Sequence, residues 1–351
     1  MSDKLKSLKM EVMGNSVCSS LYTRVSSSFA VAPENLCALS EEGDLCGDGD
    51  KGAGLVIPGS GNRLVMNVLY LQINAAVCHV RASELIGVSF YSIGCNSSVS
   101  GQKLPHVFGK ITPSVTSWIK NTVSKYGSNI CSTNTPSNPS CSTLSPSTPP
   151  KLSSYCSGSC GRSKKRFSCD DRIIGGTEAC EHEFPWAALL EIDGASRCGG
   201  NLINDRYKNK LKFVPNVGHF FNRYILTAGH CFDRSDPNNV RITVTLGNIL
   251  KENHPLSTNN ALGEHDTEER DGEYKVTVTS YKLHPRFKKT SNSLEYDLAL
   301  IEIPPVDLRQ YRNSIGPVCL PAKVGTPVNY RGRATAYGWG KEDKLFENIV
   351  R

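Results

Sequence analysis

Residues 127–171 of this 351-residue chain are rich in Ser, Thr, Pro and Cys, and they divide two regions of strand-type sequence. Such a stretch builds no packed core, so it reads as a linker. On its N-terminal side, residues 1–126 carry short β-type runs such as 83–93 (SELIGVSFYSI). They close with a predicted helix over Pro113–Tyr126, with Pro at its start and Val115, Trp118, Ile119 and Val123 spaced for one face. On the C-terminal side, residues 172–351 return to strand-like runs at 187–192, 240–246, 274–283 and 297–303. Many short strands with Gly/Pro turns predict an all-β sandwich or barrel. Each half alone leaves an apolar face that needs a partner.

The 14 cysteines point to an oxidising compartment. A net charge of +7 is modest for this length. The basic run at 162–166 (RSKKR) reads as a solvated, protease-sensitive linker rather than a polyanion site. No aromatic residues interleave with a basic stripe, so no nucleic-acid partner is expected. The N-terminal sequence MSDKLKSLKMEVMG is charged and lacks the apolar run of a secretory signal. That conflicts with the cysteine count, and a true N-terminus lying further upstream would resolve it. The most apolar stretch, 64–80, is broken by Asn67, Gln72 and Asn74. It falls short of the roughly 20 apolar residues of a membrane-spanning helix, so no span is predicted.

Two segments in the second region carry chemistry: RYILTAGHC at 223–231 and DLAL at 297–300. They follow Arg172-Ile173-Ile174-Gly175-Gly176, Phe184-Pro185-Trp186 and Cys198-Gly199-Gly200. Together these segments resemble the trypsin/chymotrypsin-like serine proteases, with an arthropod clip-type flavour closest to proclotting and melanisation proteases. The resemblance covers nearly everything outside 127–171. It implies a double β-barrel fold and proteolysis after basic residues. It implies that His230 is the general base, because a serine hydroxyl is a poor nucleophile until an imidazole accepts its proton. Asp297 would hold the imidazole tautomer, a role taken from the general template of this triad. Cleavage after Arg172 would free an ammonium at Ile173 that buries itself against a carboxylate. Cys198 and Cys231 resemble the disulfide of the histidine loop. Cys319, in Pro317–Pro321, resembles the cysteine that ties protease to propeptide, with Cys160 and Cys169 as candidate partners.

Residues 9–126 resemble the remainder of such a protease, placed before rather than after the histidine and aspartate segments. Cys18 with Cys37, and Cys46 with Cys95, match two family disulfides. Residues 85–90 match a substrate-lining strand, and residues 104–119 match the final strand and helix. The nucleophile motif is degenerate. Cys46 is followed by two residues and then Gly49-Asp50-Lys51-Gly52-Ala53-Gly54, so the serine position holds Lys51. A lysine side chain is protonated near neutral pH unless strongly desolvated, and it reaches too far to stand in for a hydroxyl. Gly49 is the matching oxyanion-hole candidate, and Asp50 the candidate partner of the Ile173 ammonium. Asp44 matches the residue that selects a basic side chain. Tyr91 and His106 fall where the pocket usually has glycines, so bulk there should obstruct it.

The expected organisation is therefore the C-terminal part of one protease-like domain at 1–126, a linker at 127–171, and the N-terminal part of a protease domain at 172–351, ending before a nucleophile segment. Two stretches, 208–224 and 248–263, are either long surface loops or translated non-coding sequence, since each seam repeats a dipeptide. The fold class is all-β, with double-barrel elements and a helix near 113–126, and the two halves can pack as one permuted double barrel. In that arrangement His230 and Asp297 would face Lys51 across the cleft. The functional expectation is an extracellular trypsin-like endopeptidase family member without turnover as this chain. A non-catalytic homologue binding in a protease cascade and an interrupted gene product are the alternatives. Partners would be protein substrates or other cascade proteases; no metal or organic cofactor is implied.

Overall fold

Strand pairing in this protein runs across the linker. The computed structural model describes residues 5–24, 31–41, 45, 50–58, 82–91, 98–99, 102–126, 160–163, 172–173, 176–180, 182–203, 221–247, 272–290, 294–308, 310–311, 314–321, 330 and 332–340. Before the linker come β1 (Lys6–Met13), α1 (Asn15–Thr23), β2 (Asn35–Leu39), β3 (Gly54–Pro58) and β4 (Ser83–Tyr91). A small ribbon of β5 (Ser98–Val99) and β6 (Gln102–Lys103) follows, then β7 (His106–Lys110) and α2 (Pro113–Tyr126). After it come β8 (Arg172–Ile173), β9 (Gly176–Glu178), β10 (Ala187–Ile192), β11 (Ser196–Leu202), β12 (Phe221–Thr227) and β13 (Ile242–Leu246). The chain continues through β14 (Tyr274–Val278), β15 (Tyr281–Leu283), β16 (Lys288–Lys289), β17 (Leu294–Glu295), β18 (Ala299–Asp307) and β19 (Gly332–Gly338).

One sheet runs β19-β3-β4-β7-β2-β1-β9-β8, and β19 also pairs with β1. That second pairing closes six strands into a barrel. The closing strand comes from the other side of the linker. It lies antiparallel to β1 from Lys6↔Gly338 to Val12↔Gly332, and meets β3 at Thr335↔Val56 and Ala336↔Leu55. The alternation along β1 explains its placement. Leu8, Met10 and Val12 point into the barrel, while Lys9 and Glu11 point out. The barrel core combines Leu8, Leu36, Leu55, Ile86 and Phe108 with Tyr330, Ala334 and Ala336.

The other large sheet runs β14-β13-β10-β11-β12-β18-β15 and comes wholly from residues after the linker. The two sheets form the closed barrel and half-barrel of a trypsin-like double β-barrel fold. A second core cluster joins them, holding Leu85, Val88, Val107 and Ile119 together with Trp186, Leu226, Leu300, Val318 and Tyr337. At β18 the strand runs through Pro304-Pro305 to Asp307, beyond the 297–303 expected from sequence. The expected run at 274–283 is two strands, because β14 pairs with β13 while β15 pairs with β18. Residues 221–224, at the end of one suspected insert, pair with β18 as part of β12. The rest of that insert and all of 248–263 lie outside the described residues.

The helix α2 forms over its expected span. Pro113 occupies a first-turn position where no N–H is needed, and the Thr112 hydroxyl accepts the Val115 N–H at 3.3 Å. Val115 and Ile119 are buried. A staple from the linker reinforces the joint. Cys160 is disulfide-bonded to Cys319, Gly161 N–H donates to the Pro317 carbonyl, and the Ser83 N–H donates to the Gly161 carbonyl, both at 2.7 Å. Among the described residues no helix is long and apolar enough to cross a membrane.

Candidate active site

His230 sits in a 3-10 turn, Gly229–Phe232, directly after β12. The Cys198–Cys231 disulfide ties that turn to β11. Asp297 lies just before β18 and is fully buried. A buried carboxylate must have hydrogen-bond partners to be tolerated. Both of its oxygens have them: Oδ1 accepts the His230 backbone N–H and Oδ2 faces Nδ1, each at 2.7 Å. A carboxylate only accepts, so Nδ1 carries the hydrogen and Nε2 of the neutral ring is left as an acceptor. Nε2 is buried and has no hydrogen-bond partner among the described residues.

The aspartate is presented by a tense loop. Tyr296, which precedes it, has φ 48°, a left-handed conformation uncommon outside glycine. The Leu298 N–H donates back to the Tyr296 carbonyl at 2.7 Å. The Tyr296 ring stacks on His284 with centroids 4.7 Å apart, and the Arg286 guanidinium lies 4.1 Å from its centroid. His284 in turn meets Trp118 of α2 edge-on at 4.7 Å. This stack carries the helix from before the linker onto the aspartate loop. Burial first, then the Arg286 charge, lowers the His284 pKa from 6.5 to about 4.

Lys51 reaches the same cleft through a tight turn. Ala53 N–H donates to the Asp50 carbonyl at 3.1 Å, and Gly52 N–H donates to the Ser89 carbonyl at 2.7 Å. Two bonds then cross to β11: Gly199 N–H to the Lys51 carbonyl at 2.6 Å, and the Asn201 side-chain amide to the Gly52 carbonyl at 3.0 Å. Gly52 has φ 79°, and a Cβ there would run into the Gly199 carbonyl oxygen and the Thr227 hydroxyl. Only glycine permits this approach of the two barrels. Lys51 and His230 line one cavity of about 440 Å³, together with Arg197, Asp233, Arg234, Lys289 and the Cys198–Cys231 disulfide.

The other expected site residues are distributed around this cleft. Asp50 is buried and accepts the Gly340 N–H at 2.8 Å. His106 is buried on β7, and its Nε2 accepts the Leu45 N–H at 3.3 Å. Tyr91 ends β4 opposite Val107. Arg172 and Ile173 form β8, which folds back on β9 in a hairpin at the sheet edge. The Cys18–Cys37 disulfide forms, as does Cys198–Cys231, and Cys160 is the partner of Cys319. Asp44, Cys46, Gly49, Cys95 and Cys169 lie outside the described residues.

Sequence reasoning does not reach Asn201 and Thr227 as bridging groups. Asn201 hydrogen-bonds both Gly52 and the Tyr337 hydroxyl, and Thr227 donates to the Gly199 carbonyl at 2.7 Å. Their signal was their position, beside Cys198-Gly199-Gly200 and inside LTAGHC. Arg197, Arg234 and Lys289 carry no such signal, because they converge from three separate segments.

Residues 219–349 match the family model described as Trypsin. Melanization protease 1 of Drosophila melanogaster is 31% identical over 189 residues, covering 52% of this chain and 42% of that protein. CLIP domain-containing serine protease B10 of Anopheles gambiae is 32% identical over 188 residues, covering 50% of this chain and 46% of that protein. Coagulation factor IX of Cavia porcellus is 28% identical over 174 residues, covering 48% and 47%. The chain spans less than half the length of these relatives. The family match and the named relatives support a trypsin-like serine protease, and the double-barrel fold agrees with them.

Proposed function

We propose that this chain is an extracellular, clip-type trypsin-like protein that retains the histidine–aspartate pair, lacks turnover, and acts as a binding partner of proteases in a cascade. One observation carries the reading. Lys51 lines the cavity of His230, whose Nε2 has no hydrogen-bond partner among the described residues. A serine hydroxyl in that position would hand Nε2 its proton as its oxygen attacks; an ammonium has no lone pair to attack with, and an imidazole is too weak a base to free one. Residues 1–126 act as the C-terminal part of a protease-like domain and 172–351 as the N-terminal part, joined by the 127–171 linker. The shared closed barrel supports that division.

Arg172–Ile173 is the proposed activation bond, and His230 and Asp297 the retained catalytic pair. Cleavage releases Ile173 as a new ammonium, with buried Asp50 as its acceptor. On the resemblance, Tyr91 and His106 stand where the pocket usually has glycines, so bulk there would obstruct it, and Asp44 matches the residue that selects a basic side chain. Extracellular placement agrees with the three disulfides described.

The experiment is hydrolysis of an arginyl ester after limited trypsin treatment of the full chain. N-terminal sequencing should return IIGGTEA, and no turnover should follow. Lys51→Ser should acquire labelling by a fluorophosphonate probe, lost again in Lys51→Ser with His230→Ala. Turnover by the unmodified chain that His230→Ala abolishes would sink the proposal.

A further inference from the structure

The cavity beside His230 has an uneven charge. Among the described residues, Lys51, Arg197, Arg234 and Lys289 line it with four cationic side chains, against a single carboxylate, Asp233. Lys289 pairs with Asp233 across the rim, and Arg197 reaches Glu191 at 2.9 Å, with more than a third of its side chain exposed. Exposed pairs of this kind are weak and exchange readily for a ligand's carboxylate. Arg234 is exposed. The cations come from the turn after Asp50, from β11, from the segment after the histidine turn and from β16, so the convergence exists only in the folded molecule.

We propose that this cavity is a binding site for an extended acidic peptide segment of a partner protein. Carboxylates of the segment pair with Lys51, Arg197 and Arg234, where arginine offers forked donors suited to carboxylate. A backbone N–H of the segment donates to His230 Nε2, the buried acceptor with no partner among the described residues. The same nitrogen and Asp233 set the site apart from one for a sulfated glycan or nucleic acid. Both are acceptors, and a peptide presents a backbone N–H donor at every residue between its carboxylates, whereas a sulfated glycan or a nucleic-acid backbone offers fewer donors between its charges. The assignment rests on the cleft being a peptide-binding rather than peptide-cleaving site.

The test uses the full chain and a fluorescein-labelled octapeptide of alternating Glu and Gly, followed by anisotropy. Saturable binding is expected, about tenfold weaker at 0.3 M than at 0.05 M salt, as screened charge pairs require. Arg197→Glu with Arg234→Glu should weaken it by about tenfold or more. Lys103→Glu with Lys120→Glu, outside the cavity, should change it by less than about twofold. Should the first pair fail to fold, Arg197→Gln with Arg234→Gln removes the same charges without reversing them. No saturable binding, equal loss from both pairs, or binding of a heparin hexasaccharide that excludes the peptide would each overturn the assignment. Ester turnover by the unmodified chain would instead overturn the proposed function and leave the binding result standing.

Discussion

The closed barrel and the seven-stranded sheet are built from the same kind of sequence but depend on the linker differently. Every strand of the seven-stranded sheet follows the linker, and the Cys198–Cys231 disulfide ties its β11 to the histidine turn. The closed barrel takes five strands from before the linker and β19 from after it. Its closure is therefore a long-range event, and an unpaired β1 and β3 would present two open edges. A chain can carry a legible motif in a self-contained sheet while its partner barrel exists only through a strand from the opposite terminus.

The largest expected effect comes from breaking that closure. Ala336 is 1% exposed and faces the barrel core between Leu8 and Leu55. Ala336→Asp buries a carboxylate without a partner and should destabilise the barrel by about 4 kcal/mol or more. Hydrogen exchange should show protection lost in β1 and β3 while β10 and β11 keep theirs. Retained protection in β1 would mean that the barrel does not need β19.

Next is the staple between the two bodies. Cys160–Cys319 spans 159 residues, against 33 for Cys198–Cys231. Replacing both Cys160 and Cys319 by Ser should cost about 4 kcal/mol, since a longer closed loop restrains the unfolded chain more. Urea unfolding should then separate into two transitions. A single unchanged transition would show that the bodies hold together without this disulfide.

The smallest effect is a pH dependence at their contact. His284 is depressed to about 4 from 6.5, by burial and then by Arg286, so the folded state binds fewer protons than the unfolded between those values. Stability should therefore fall as pH drops from about 6.5 towards 4, by about 3 kcal/mol at the limit of a full shift. His284 sits between Trp118 and Tyr296, so the loss is a loosening of α2 from the aspartate loop. Thermal melts between pH 7 and 4 test it. A His284→Gln chain with the same slope would show that other groups cause it.

Much of the local structure was legible in sequence. Residues 187–192 read as a strand because apolar residues run together, and Pro113–Tyr126 as a helix because Val115, Trp118, Ile119 and Val123 share a face. The histidine and aspartate segments were legible as well, through the resemblance of LTAGHC around His230 and DLAL from Asp297 to a family pattern. β1 was not, since Lys9 and Glu11 make it polar on one side and its apolar side has meaning only against β19.

The sequence by itself determined the residue types: a histidine, an aspartate, a lysine in a degenerate motif, and a glycine at position 52. Each is a local fact of order and spacing. Only the tertiary structure decided that they meet. Lys51 and His230 share a cavity because β19 closes the barrel and because Gly52, lacking a Cβ, lets its turn lie against Gly199 and Thr227. The basic wall of Arg197, Arg234 and Lys289 has the same origin, since pairing between distant strands carries no local pattern that a linear reading can detect.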